Sequence, residues 1–214
     1  MEQRFLYEKL NVVKEIGQLK DIPEIIETGL APHIHLREYQ EEAFRYFITY
    51  FEEENLRKNK QVHTLFHMAT GSGKTVIMAG LILYLYTKGY RNFMFFVNQT
   101  NILEKTKENF INPLSSKYLF NDVVEYLGKK INIKMVNNFS GNDLKEDIQI
   151  CFTTTQKLHM DLFTPKENSL TYEDFENNKT VFISDESHHV NTLTKGASKA
   201  EKEAKNSWEY SVTN

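Results

Sequence analysis

The sequence predicts an α/β fold built on a mostly parallel sheet and preceded by a short helical N-terminal segment. Three observations carry that expectation. Short apolar runs alternate along the chain with longer amphipathic stretches. The run at 92–97, Asn-Phe-Met-Phe-Phe-Val, is too continuously apolar for a strand with one wet face, so it belongs inside a sheet covered on both sides. A glycine-rich loop separates an apolar run at 63–68 from an apolar stretch of helical length.

Residues 1–35 show no strand pattern and are expected to form a helical preamble to a single domain over 36–214. Tyr39, Ala43, Phe47 and Phe51 recur four apart within 36–58, with Glu41, Glu42, Arg45 and Glu52 to Glu54 on other faces, which predicts an amphipathic helix. A strand is expected at 63–68, a loop at 69–73 and a helix from 76 to 86, ended by Gly89. After the strand at 92–97, a helix over 99–110 is closed by Pro113. Further strands are expected at 131–136, 148–153 and 180–184, and helices near 119–127, 155–163 and 199–208. Strands separated by helices of this length imply right-handed crossovers.

Composition narrows the function classes. The chain has 214 residues, 40% hydrophobic and 26% charged, with 9 Gly and 4 Pro, as in an ordinary globular protein. The stretch 76–86 is far shorter than the roughly 20 apolar residues of a membrane-spanning helix, and no apolar signal follows Met1, so a cytoplasmic protein is expected. The single cysteine, Cys151, excludes an internal disulfide and any multi-cysteine zinc site. A net charge of -3 argues against a whole-surface polyanion binder and leaves room for a local basic groove.

The loop Thr70-Gly71-Ser72-Gly73-Lys74-Thr75 has the composition a phosphate cradle requires. Glycines allow backbone N–H groups to turn inward without side-chain obstruction, and the following helix start adds partial positive charge. Lys74 supplies a mobile ammonium for the β- and γ-phosphates, and the Thr75 hydroxyl can coordinate Mg²⁺. The strict G-x-x-x-x-G-K-[ST] pattern asks for glycine at position 68, where this chain carries Met68. A glycine turn before a helix with an exposed lysine would look the same in the loop alone.

A second cluster narrows the choice. The apolar run at 180–184 ends in Asp185-Glu186, which delivers carboxylates to the C-terminal edge of a parallel sheet. There Asp185 would hold Mg²⁺ through its water shell, and Glu186 would orient or deprotonate the water attacking a γ-phosphate. The alternative is an acidic N-cap worth roughly 0.5–2 kcal/mol. His188 suits a polar coupling role beside the phosphate site, and His189 a packing or surface role. A protein zinc site drawing on these with His33, His35, His63, His67 or His159 lacks a spaced ligand set. Cys151, inside an apolar run, is expected to be a small core residue.

At these residues the chain resembles the first motor domain of superfamily 2 helicases and translocases. Ala69 to Thr75 is similar to motif I, and Asp185-Glu186-Ser187-His188 resembles the D-E-x-H motif. Leu36-Arg37-Glu38-Tyr39-Gln40 looks like the upstream L-R-x-Y-Q element, which implies that Gln40 recognises adenine. The resemblance places Asn98, Gln99 and Thr100 in motif Ia, and Thr154, Thr155 and Gln156 in motif Ib or Ic, as contacts to a nucleic-acid backbone. Such contacts position a duplex and read no sequence. Within the superfamily, Asp185 to Asn191 followed by Ser207-Trp208-Glu209 is similar to the Res subunits of type III restriction enzymes, with type I motor subunits close behind.

The resemblance implies a three-layer P-loop NTPase (RecA-like) domain that uses ATP and Mg²⁺ and acts on DNA. It also implies a second RecA-like domain bearing an arginine finger, nuclease domains and a methyltransferase (Mod-like) partner. None of these follows in the sequence, so a piece of a larger motor is expected, stopped before its last strand and nearly inactive by itself. A non-catalytic module that binds DNA or a partner, with inert nucleotide motifs, is the competing reading. The lysines at 195, 199, 202 and 205 form a possible phosphate-facing strip, but Glu201 and Glu203 interrupt it and Glu201 can pair with Lys205, favouring a solvated helix face. Lys199→Glu is therefore expected to leave DNA affinity and its salt dependence unchanged in a titration series; a flattened salt slope would instead mark the strip as a phosphate contact.

Overall fold

The computed structural model describes residues 5–57, 61–97, 100–139, 146–164 and 169–185. The chain divides into two compact units, Met1–Tyr84 and Leu85–Asn214. No described helix is long and apolar enough to cross a membrane.

The first unit opens with α1 (Leu6–Glu15) and α2 (Glu24–Gly29), the latter started by Pro23, whose fixed φ suits a helix entry. The helix expected over 36–58 is two helices, α3 (Glu38–Glu52) and α4 (Glu54–Arg57), interrupted at the extended residue Glu53. Helix α3 turns Gln40, Phe44, Phe47 and Ile48 inward, the spacing of one helical face. Its outer face holds the preamble. Lys14 pairs with Glu42, the Tyr46 hydroxyl donates to Asn11 Oδ1 at 2.6 Å, and the Lys20 amide donates to the buried Thr49 hydroxyl at 2.9 Å.

The expected strand at 63–68 does not form. A strand needs a hydrogen-bonded neighbour, and among the described residues this run has none. Phe66 anchors it on Phe47, with ring centroids 6.0 Å apart, while Leu65 is 76% exposed. The run leads into α5 (Lys74–Thr87), which is apolar on every side and buried from Ala79 through Tyr86. Gly80 is what lets α5 approach α3. A Cβ there would lie 2.4 Å from Phe44 Cζ and 3.3 Å from Ile26 Cγ2, both in fully buried side chains.

The second unit is built on a parallel four-stranded sheet, as the sequence predicts, whose strands lie side by side in the order 133–136, 148–154, 92–97, 180–184. Its strands are β1 (Asn92–Val97), β4 (Ile133–Val136), β5 (Ile148–Thr154) and β6 (Thr180–Ser184). Strand β1 pairs on both edges, Met94 facing Cys151 on β5 and Phe182 on β6. Phe95 meets Phe110 of α6 (Thr100–Ile111) on one face of the sheet. Met94, Phe96 and Cys151 meet Leu158 and Leu162 of α7 (Thr155–Phe163) on the other. Both faces are therefore dry, which is why the run from Phe93 to Val97 can be continuously apolar.

Two expectations are corrected here. The stretch 119–127 is not helical. Leu119 and Phe120 dock into the core, Phe120 against Phe110 at 5.7 Å, and the chain then turns into a hairpin of β2 (Val124–Tyr126) and β3 (Lys129–Ile131). Its two-residue turn has Leu127 at φ 52 and Gly128 at φ 74, the signs of a type I′ turn. The single strand expected at 131–136 is divided between this hairpin and β4. Asn132 sits at the break, where its amide and side chain both donate to Asp147 Oδ1, at 3.2 and 2.9 Å.

A short helix the sequence reading missed, α8 (Tyr172–Asn177), begins with a signal that was present in the sequence. Asp174 accepts from the Thr171 amide at 2.8 Å and the Thr171 hydroxyl at 3.0 Å, and its other oxygen accepts from the Phe139 amide at 3.1 Å. The helix expected at 199–208 lies outside the described residues.

Alanine for glycine inside a helix ordinarily stabilises by about 1 kcal/mol. Gly80→Ala is expected to do the opposite, destabilising by about 1–3 kcal/mol in urea unfolding because Phe44 has nowhere to move. Burial pushes the Cys151 thiol up to about 12. A thiol reagent at pH 8 should leave it unmodified in the folded chain and label it once the chain unfolds; equal rates in both states would contradict the packing.

Candidate functional site

The glycine loop is shaped by two left-handed residues and a carbonyl held from outside. Gly71 and Gly73 have φ of +77° and +81°, a region that side chains rarely adopt. The Ser72 amide and hydroxyl both donate to the Ala69 carbonyl, at 3.2 and 2.6 Å, closing the turn. Helix α5 starts immediately, with Lys74 its first residue and Thr75 partly buried in the same turn. Val76 and Ile77 donate back to the Gly73 carbonyl at 2.9 and 3.3 Å. The first-turn amides of a helix lack partners within it and carry partial positive charge, so this end favours an anion.

The N-terminus of α3 braces the loop. Gln40, which is buried, accepts from the Arg37 amide through Oε1 at 3.0 Å, and its Nε2 donates to the Ser72 carbonyl at 3.0 Å. The Tyr39 hydroxyl donates to the same carbonyl at 2.8 Å, and the Arg37 guanidinium donates to the Tyr39 oxygen at 3.1 Å. A side chain at Gly73 would be strained by its φ of +81°, and its Cβ, 2.5 Å from Gln40 Nε2, would push that amide off the loop. Gln40 was expected at this site from the sequence. Tyr39 was not given a role, although it stands beside Gln40 in the same short element.

In the second unit the sheet register collects the other candidates at one edge. Val97 pairs with Thr154, and Phe96 with both Thr153 and Ser184, so Asp185 emerges directly after the last ladder pair of β6. Asp185 is half-buried, and the Ser184 hydroxyl donates to its carbonyl at 3.4 Å. Thr154 caps α7, its hydroxyl accepting from the Lys157 amide at 3.1 Å. Gln156 is exposed in the first turn of that helix, Thr155 is its first residue, and Thr100 is the first residue of α6. The parallel register thus gathers Thr100, Thr154, Thr155, Gln156 and Asp185 at the carboxyl ends of the strands. Asn98, Gln99, Glu186 and His188 lie outside the described residues, as do the lysines of the 195–205 strip.

Comparison with known proteins places the chain in a family. Residues 33–211 match the family described as type III restriction enzyme, res subunit. The chain is 40% identical over 185 residues to the probable type III restriction-modification enzyme HindVIP Res subunit of Haemophilus influenzae, a match that covers 84% of this chain. It spans 35% of that relative's length. With the family match running through both the glycine loop and the acidic pair, on an α/β fold with a parallel sheet, the chain belongs to the Res-subunit family of type III restriction enzymes, whose domain is of the RecA-like P-loop class.

Proposed function

We propose that this chain is the ATP-binding first motor domain of a DNA helicase or translocase in a type III restriction system. The observation that carries the reading is the loop at 69–75, where two left-handed glycines end on Lys74 as the first residue of a long helix. The loop suits a triphosphate because its glycines leave the approach clear and the helix start favours negative charge. Gln40 suits adenine because its amide retains one N–H and one oxygen lone pair beyond the two bonds it makes here, matching the donor and acceptor of the base's edge.

In this reading Thr70 to Thr75 hold the phosphates and Lys74 neutralises them, while Thr75 and Asp185 hold Mg²⁺, partly through water. Glu186 orients the attacking water, and His188 couples the nucleotide to the rest of the motor. Asn98, Gln99, Thr100, Thr154, Thr155 and Gln156 follow the DNA backbone. Bound nucleotide supplies the phosphoryl group whose transfer drives motion. Residues 1–35 serve as a preamble to a motor domain over 36–214. A second RecA-like domain, nuclease domains and a methyltransferase (Mod-like) subunit complete the system. The second domain would bring an arginine finger, worth roughly 10³ to 10⁵ in rate in related chemistry.

Calorimetric titration with Mg-ATP tests the reading. Wild type should bind, and Lys74→Ala should bind about ten- to a hundredfold more weakly, the loss for a hydrogen bond to a charged group. ATP hydrolysis by the 214-residue chain should stay slow with or without DNA. An absence of heat from both proteins would favour a binding module with inert nucleotide motifs.

A further inference from the structure

We propose that Tyr39 is a positioning residue for the phosphate loop, acting through the Ser72 carbonyl; the inference rests on the nucleotide-binding reading above. Two donors from adjacent residues of α3 converge on that one oxygen, the Tyr39 hydroxyl at 2.8 Å and Gln40 Nε2 at 3.0 Å. Adjacent residues on a helix point about 100° apart, so they meet on one atom only because it lies at the helix's first turn, between their directions. Arg37 completes the arrangement, donating to the Tyr39 oxygen at 3.1 Å and so orienting the hydroxyl proton toward Ser72.

The consequence follows from peptide geometry. In a trans peptide the carbonyl and the next residue's N–H point in opposite directions. Drawing the Ser72 carbonyl toward α3 therefore turns the Gly73 N–H away from α3 and into the concave side of the loop. Gly73 at φ +81° could flip at little cost, since glycine has no side chain to resist it. Tyr39 and Gln40 supply the restraint that glycine lacks. Their roles also differ. Gln40 has spare hydrogen-bonding capacity for a base, whereas the Tyr39 hydroxyl spends its one proton on Ser72, so Tyr39 serves the phosphate cradle alone.

Tyr39→Phe removes a single oxygen from a partly exposed ring and is expected to leave the thermal midpoint of the ligand-free chain unchanged. Its affinity for Mg-ATP and for inorganic tripolyphosphate should fall together, by about three- to tenfold, the fold-change for one neutral hydrogen bond. The Gly73 amide resonance should shift and its proton exchange faster. Gln40→Ala should weaken both ligands too, and in addition erase any preference of ATP over GTP. Tyr39→Phe binding ATP as wild type does, while Lys74→Ala does not, would overturn the role of Tyr39 and leave the nucleotide reading intact. A loss for ATP without one for tripolyphosphate would move Tyr39 to the base and overturn it as well. A lowered thermal midpoint with an unmoved Gly73 resonance would reduce it to a structural contact. Failure of wild type to bind either ligand would remove both inferences together.

Discussion

The second unit depends on the burial of one strand on both edges and both faces. Strand β1 has parallel partners on either side, and its side chains point alternately into a layer closed by α6 and a layer closed by α7. A parallel pair cannot be joined by a tight turn, so every connection must leave the carboxyl end of one strand and return to the amino end of the next. That requirement gathers the chain's polar departures at one edge: Val97 leads toward α6, Thr154 caps α7, and Ser184 ends in Asp185. Chemistry at this edge is a by-product of how a dry strand must be connected.

In the first unit the corresponding constraint is close approach. Gly80 admits the Phe44 ring to the body of α5, and Gly73 admits the Gln40 amide to its start. Both contacts come from α3, one turn apart on its buried face. One helix thereby sets both the seat of α5 and the shape of the loop before it. The preamble reaches the same helix from its far side, through Glu42, Tyr46 and Thr49.

Elements with an unambiguous period were legible. The runs that became β1, β5 and β6 are continuous and short, and α7 was bounded as observed because Thr154 is an N-cap with apolar residues in step behind it. Elements whose identity depends on a partner were not. The run at 63–68 is apolar enough for a strand, yet among the described residues it has no ladder. In the stretch at 119–127, Leu119 and Phe120 are drawn into an aromatic core and Gly128 closes a hairpin. Burial and the turn decide such places, because Val, Phe and Tyr suit a strand at least as well as a helix.

By itself the sequence determined the α/β class, the glycine loop before a helix and the acidic pair after a strand, since these rest on local periodicity and on the order of residue types along the chain. Only the tertiary structure decided that Tyr39 and Gln40 share the Ser72 carbonyl, that Asn132 passes the chain from the hairpin to the sheet, and that Asp174 ties α8 to Phe139. Each of these joins residues by a hydrogen bond whose partner lies 15 to 35 positions away. A periodicity describes which way a side chain points from its own backbone; it holds no information about what folds up to meet it.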